Sequence, residues 1–245
     1  MNLAFFRFYE ELNDFLPRWK RKELISYEFR GNPSVKDAIE AMGVPHAEVD
    51  LILVNSNSVD FSYKLHEGDA VSVYPVFESF DISPVTHLRD KPLREIKFIP
   101  DVHLGKLARY LRLLGFDTYF DSNAEDNEII NISLSDKRII LTRDRQLLKN
   151  NRVTHGYWIR SSDPREQIRE VIKRFDLRNG IQLFTRCMEC NGMIINISKE
   201  DISGNLMPKT LEFYDEFKQC QVCRQIYWEG SHYQNMKKQI EDILE

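Results

Sequence analysis

The chain has 245 residues, enough for one large domain or two smaller ones, and 42% hydrophobic against 29% charged residues is the balance of a folded, soluble chain rather than a disordered or membrane one. A formal net charge of -4 excludes an overall basic coat for nucleic acid but leaves room for a local basic patch or a metal site built from acids. The opening MNLAFFRFYEELNDF meets Arg7, Glu10, Glu11 and Asp14 before an apolar run can build, so neither a secretory signal nor a membrane span is expected there. A cytoplasmic location with no membrane partner is the expectation.

Residues 3–9 are predicted as a strand, LPRWKRKE interrupts, and LISYEF at 24–29 reads as a second strand, so the two form a hairpin. GNPSVKDAIEAMGVP then starts a helix, with Ser34 as N-cap, Asp37 at the third position, Val35, Ala38, Ile39 and Met42 on one face and Gly43 as the stop. DLILVNSNSV and DAVSVYPVF add strands on either side of the turn residues HEGD. This order predicts a small α+β domain over residues 1–80. It resembles the β-grasp (ubiquitin-like) fold, above all its sulfur-carrier-like branch, in the ending EGDAVSVYPVF. Sulfur carriers end in a free Gly-Gly, whereas this segment runs on through ESFDISPVTHLRDKPLREIK, with 81–94 as a linker. The domain is therefore expected to do no chemistry and to serve as an interaction or RNA-positioning module, which leaves room for a protein partner.

From 95 to 180 the pattern alternates. EIKFI is a strand, HLGKLARYLRLLG a helix with Leu104, Leu107, Ala108, Leu111 and Leu114 on one stripe, FDTYF a strand, and DNEIINISLSD a helix. RIILT is a strand, RDRQLLKN a short helix, GYWIR a strand, and DPREQIREVIKRF a helix with Pro164 in its first turn. Strand–helix pairs in series predict a mostly parallel sheet wrapped by helices.

In such a sheet ligands collect at the carboxyl ends of strands. Asp101 follows Ile99 by two residues, Asp144 follows RIILT, and Asp126 and Glu128 open the helix between them. Each acid alone is explained by helix capping, a role worth roughly 0.5–2 kcal/mol. Three acid positions at one sheet end would repel one another unless a cation neutralises them. Carboxylate oxygens suit Mg²⁺ or Mn²⁺, which can lower the pKa of a water and stabilise the leaving oxygen of a phosphodiester. Lys106, Arg109 and Arg112 recur on a side of their helix away from the leucine stripe, and Arg143 and Arg145 bracket Asp144; these cations would hold phosphates or simply line solvated faces. His103, two residues past Asp101, raises the question of a general base, although a water activated by a metal needs none.

All four cysteines fall in the last stretch, 181–245. Cys187 and Cys190 form one C-x-x-C and Cys220 and Cys223 another, the spacing of a zinc ribbon whose four thiolates leave no open position for substrate. Disulfides would need an oxidising compartment. After the second knuckle RQIYWEGSHYQNMKK interleaves rings and cations; Tyr227 and Trp228 are read as packing, Lys237 and Lys238 as RNA contacts.

FIPDVHLGKLARYLRLLGFDTYF, RIILTRDRQLL, YWIR, RCMECN and CQVCRQIYWEGSHYQNM together resemble the Mut-seven C-terminal domain family of RNases, over about residues 95–240. That resemblance implies a PIN-like α/β parallel-sheet nuclease domain with a C-terminal zinc ribbon, preceded by the small α+β β-grasp domain. It implies an acidic Mg or Mn site on Asp101, on Asp126 or Glu128, and on Asp144, with Asp121 and Asp163 as candidates for a fourth acid. The expected activity is a divalent-metal-dependent ribonuclease, with RNA as partner and structural Zn on the cysteines. A non-catalytic RNA-binding adaptor, in which the acids only cap helices, is the alternative. A phosphatase with an aspartyl nucleophile is disfavoured, because the second acid of a D-x-D is replaced by His103.

Overall fold

The computed structural model describes residues 1–75, 96–202, 204 and 206–244, so the expected linker 81–94 lies outside the described residues. Contacts divide the chain into two compact units, Met1–Glu95 with Asp126–Trp158, and Ile96–Glu125 with Ile159–Glu245.

The first unit opens with β1 (Asn2–Phe8) and β2 (Ile25–Phe29), joined through two short 3₁₀ turns, then α1 (Val35–Ala41), β3 (Val49–Val54), β4 (Asn57–Ser58) and β5 (Ala70–Pro75). They form a five-stranded sheet in the order β2-β1-β5-β3-β4. β1 and β2 are the expected antiparallel pair, with Phe6 opposite Ile25, and β1 runs parallel to β5, with Phe6 opposite Val71. Ala4, Phe6 and Phe8 are buried at alternate positions of β1 and meet Val35, Ala38 and Ile39 of α1 in one core. α1 begins with the capping box the sequence predicts: Ser34 Oγ accepts from the Asp37 N–H at 3.1 Å and Asp37 Oδ2 accepts from the Ser34 N–H at 3.2 Å.

Next along the chain, β6 (Phe98–Pro100) and α2 (Gly105–Leu113) belong to the second unit. The chain then returns to the first unit with α3 (Asp126–Asp136), β7 (Ile139–Thr142), α4 (Arg145–Leu148) and β8 (Gly156–Trp158); β7 and β8 are parallel, with Leu141 opposite Tyr157. The β-grasp sheet domain and residues 126–158 are tied by polar contacts, one buried and two part-buried. His46 Nε2 lies 2.9 Å from the Val153 carbonyl, Lys149 Nζ donates to the Glu40 carbonyl at 3.0 Å, and the Trp158 N–H donates to the Glu48 carboxylate. The Phe15 and Trp158 rings pack with centroids 5.1 Å apart. By contacts, then, residues 126–158 group with the N-terminal sheet domain.

In the second unit, β6 and α2 are followed by α5 (Pro164–Arg174), which has Pro164 at its start as predicted and Asp163 as its N-cap. FDTYF, expected as a strand, makes a single parallel bridge, Thr118 with Phe98. That bridge is made by the Phe98 N–H donating to the Asp117 carbonyl at 2.8 Å and the Tyr119 N–H donating to the Phe98 carbonyl at 3.0 Å, while the Thr118 N–H, on the other edge of the segment, donates to Asn191 Oδ1 at 3.0 Å. β9 (Ile194–Ile197), α6 (Lys199–Ile202), α7 (Pro208–Phe213), β10 (Phe217–Cys220), β11 (Ile226–Trp228) and α8 (Ser231–Leu244) complete the chain. β10 pairs antiparallel with both β9 and β11 over a small core of Ile202, Phe217 and Ile226. Among the described residues, no helix is long and apolar enough to cross a membrane.

Candidate functional site

The two C-x-x-C segments fold as copies of one knuckle. In the first, the Asn191 N–H donates to the Cys187 carbonyl at 2.9 Å and the Cys187 N–H to the Gly192 carbonyl at 2.8 Å; in the second, Arg224 N–H donates to the Cys220 carbonyl at 3.2 Å and Cys220 N–H to the Gln225 carbonyl at 2.9 Å. Both turns need a left-handed residue just after the second cysteine, and Asn191 (φ 67) and Arg224 (φ 64) supply it. The four sulfurs then face one another within 4.8 Å, with Cys187 and Cys223 at 3.5 Å and Cys190 and Cys220 at 3.4 Å. A tetrahedral ion bound at about 2.3 Å per sulfur would space its thiolates about 3.8 Å apart, so the cluster fits such an ion with little adjustment.

Nearby groups support that reading. The cysteines are free rather than paired as disulfides. Val222 N–H points at Cys220 Sγ from 3.4 Å, a bond that favours thiolate over thiol. Gly192 is needed at close quarters, because a Cβ there would lie 2.8 Å from Cys220 Sγ and 2.8 Å from Val222 Cγ2. Desolvation and then the three neighbouring sulfurs push the Cys223 thiol up to about 12, a crowding of sulfurs that a bound cation would relieve, and Tyr227, whose hydroxyl sits 3.1 Å from Cys187 Sγ, is also raised, first by burial and then by that sulfur. Among the described residues, these four cysteines are the side chains grouped closely enough to hold one metal ion.

The acids occupy the ends of secondary structure. Asp101 is buried and caps the 3₁₀ turn Val102–Leu104, its Oδ1 accepting from the His103 N–H at 2.9 Å. Asp144 is exposed and caps α4, accepting from the Gln146 N–H at 2.7 Å, while its own N–H donates to Thr142 Oγ1 at 2.8 Å. Asp126 and Glu128 stand exposed in the first turn of α3. α3 packs on β7 and reaches it through Lys137, whose φ of 55 reverses the chain. Asp101 belongs to the second unit and Asp126, Glu128 and Asp144 to the first. Asp121 accepts from Asn123 in a turn and Asp163 caps α5, local roles for both candidates for a fourth acid.

The cations divide. Lys106 is exposed on α2. Arg109 is exposed but Nη2 meets both oxygens of Glu189 at 2.9 and 3.1 Å. Arg112 corrects the expectation of an open stripe: it is 4% exposed, its Nε donates to the Thr118 carbonyl at 2.9 Å, and its Nη1 donates to the carbonyls of Met188 and Glu189 at 2.9 and 2.8 Å. It fastens the first cysteine knuckle to α2, and burial lowers its pKa. Arg143 is exposed; Arg145 lies 3.9 Å over the Trp158 ring and 5.2 Å from Phe15, a cation–π site that holds α4 against the N-terminal domain. Lys237 and Lys238 are exposed on α8. Tyr227 and Trp228 pack at the ribbon, and Tyr233 stacks on Phe184 at 4.1 Å.

Sequence reasoning missed the knuckle's second tier: Asn191, Gly192, Arg224 and Arg112. For Asn191 and Gly192 a signal existed, since Asn after a C-x-x-C tolerates a left-handed turn and the Gly beside it leaves room for close approach. For Arg112 there was none.

Residues 96–240 match the Mut7-C RNAse domain, and residues 1–81 match the Mut7-C ubiquitin domain. Among curated proteins and among solved structures, nothing matches the chain. The chain belongs to the Mut7-C RNase domain family, in the form that carries an N-terminal ubiquitin-like domain.

Proposed function

We propose, from this membership, that the chain is a divalent-metal-dependent ribonuclease that hydrolyses phosphodiester bonds of RNA. The observation that carries the reading is the match of residues 96–240 to an RNase domain. Asp101, Asp144 and one of Asp126 and Glu128 are each proposed as ligands to Mg²⁺ or Mn²⁺, because hard cations take oxygen donors and these acids stand at element ends where such sites are built. Capping is compatible with that role, since a carboxylate has lone pairs enough to accept one N–H bond, from His103 or Gln146, and to ligate a cation as well. A bound cation would supply an activated water and offset charge gathering on the scissile phosphate. Lys106, Arg143, Lys237 and Lys238 are exposed and proposed to hold the RNA backbone, whereas Arg112 is left out because its donors are committed to carbonyls.

The four cysteines are proposed to hold Zn²⁺ as a structural ion, since four sulfur donors fill its tetrahedral shell and leave no position for substrate. The adaptor reading has one observation in its favour, namely that Asp101 and Asp144 both serve as helix caps. Cleavage separates the two. Purified full chain incubated with labelled single-stranded RNA should cut it with Mn²⁺ or Mg²⁺ and stop on chelation of that ion; binding without cleavage under any divalent cation would favour the adaptor.

A further inference from the structure

The segment that interrupts the first hairpin, LPRWKRKE, has no part in the chemistry above. In the structure Pro17, Arg18, Trp19, Arg21, Lys22, Glu23 and Leu24 are all exposed, and the 3₁₀ turn Arg18–Lys20 buries nothing. Trp19 is 74% exposed, an unusual cost for the largest apolar side chain. Lys20 Nζ sits 4.8 Å from the centre of its ring. Arg18, Lys20, Arg21 and Lys22 therefore place four cations within five residues around one solvent-facing indole.

The loop is held in place from beneath. Asn13, 5% exposed, donates its amide to the carbonyls of Phe8 at 2.9 Å and Glu10 at 3.0 Å and accepts the Lys22 N–H at 2.7 Å, with Lys22 in a left-handed conformation (φ 60). Arg21 Nε donates back to the Leu16 carbonyl at 3.1 Å, and its guanidinium faces Asp14 from 3.8 Å. A buried amide thus fixes the base while the indole and the cations around it face water. A loop fixed in that way meets a ligand without the entropic cost of first ordering itself.

We infer that this loop is a binding site for single-stranded RNA, in which Trp19 stacks an unpaired base and Arg18, Lys20 and Lys22 meet the flanking phosphates. Stacking on an aromatic ring with cations tracking the backbone is how single strands are held without sequence preference. The inference rests on the ribonuclease reading for its choice of RNA over an anionic membrane, the other surface that an indole among cations suits. It makes the ubiquitin-like domain a substrate-positioning element.

The test uses the full chain with Mg²⁺ and Mn²⁺ withheld, so that a fluorescent single-stranded RNA binds without being cut, and compares wild type with Trp19→Ala, Trp19→Tyr and Arg18→Glu/Lys20→Glu. Trp19→Ala is expected to weaken binding by about fivefold or more, the lower end of one base stack, with Trp19→Tyr retaining most of the affinity. The charge reversal is expected to flatten the dependence of log affinity on log salt by about 0.7 for each phosphate that is no longer neutralised. Equal affinity for wild type and Trp19→Ala, both melting alike, overturns the inference, and metal-supported cleavage by both would show the ribonuclease reading intact. Weakened binding by Trp19→Ala in a chain that cleaves nothing under any metal would keep the loop as an RNA site and remove the ribonuclease. Trp19-dependent binding to vesicles of phosphatidylcholine and phosphatidylserine, with none to RNA, would overturn the inference in favour of a membrane.

Discussion

Replacing Arg112 by Met should cost far more than an exposed arginine on a helix could. Three carbonyls, of Thr118, Met188 and Glu189, take hydrogen bonds of 2.8 to 2.9 Å from this one guanidinium, and the side chain is 4% exposed. A bond with a charged donor contributes roughly 1.5–3 kcal/mol, and a buried carbonyl left without its partner loses most of that. The Met188 and Glu189 bonds are only part-buried, so water replaces some of the loss there, and methionine keeps the apolar stem in place. The net cost works out at about 3–5 kcal/mol. That is a large fraction of the roughly 5–15 kcal/mol typical of a folded domain, and it corresponds to a melting point lower by about 6–20 °C. Because two of the three carbonyls belong to the first cysteine knuckle, the loss should also loosen the metal. The assay is urea denaturation of wild type, Arg112→Met and Arg112→Lys, with a chromogenic chelator following metal release. Arg112→Met should fall by the stated amount and release metal faster, and Arg112→Lys should recover part of the loss as a point donor. Stability of Arg112→Met within about 1 kcal/mol of wild type, together with weaker RNA binding, would refute the clamp and restore Arg112 to the substrate face.

If the four cysteines hold a metal ion, chelating it should collapse the ribbon, whose own core is small, and binding should strengthen as pH rises because thiols must lose their protons to ligate; proton release on metal titration checks this. Ser34→Ala should cost about 0.5–2 kcal/mol in the N-terminal domain. It should also shift Asp37, whose carboxyl is held low chiefly by its hydrogen bond to Ser34, back toward 3.8 in a carboxyl NMR titration. The sign follows: the folded pKa lies below the unfolded one, so this contribution is present above pH 3.8 and is lost as pH falls through the folded value. Gly115→Ala should be worse than Gly68→Ala, since both glycines have positive φ (95 and 84) but only at Gly115 would a Cβ meet backbone, the Gln182 carbonyl at 2.4 Å; strain alone is worth about 1–3 kcal/mol, which denaturation of the two variants would compare.

Local punctuation in the sequence was readable. The Ser34–Asp37 box, Gly43 with its φ of 105, the Asp163–Pro164 start of α5 and the full span of α3 all appear where residue chemistry places them, because each depends on neighbours a few positions away. The cysteine cluster was readable for the same reason. What failed depended on distant residues. FDTYF keeps a single bridge, Thr118 with Phe98, and its outward Thr118 N–H is taken by Asn191, seventy-three positions on. Arg112 follows Leu111 on α2, and a period of cations cannot distinguish a solvated guanidinium from one that reaches carbonyls near Cys190. Nor does the linear order disclose that residues 126–158 pack with the N-terminal sheet domain, which rests on contacts such as His46 with Val153. Asp101 and Asp144 were readable as acids at element ends, but capping and metal binding call for the same residue in the same place.

Asp144→Asn separates those two roles, since asparagine caps a helix about as well as aspartate but is a poor ligand for a hard cation. Wild type and Asp144→Asn, purified alike and shown to melt alike, would be given the same single-stranded RNA with Mn²⁺. The ribonuclease account predicts cleavage by wild type and essentially none by the variant; equal cleavage by both would contradict it.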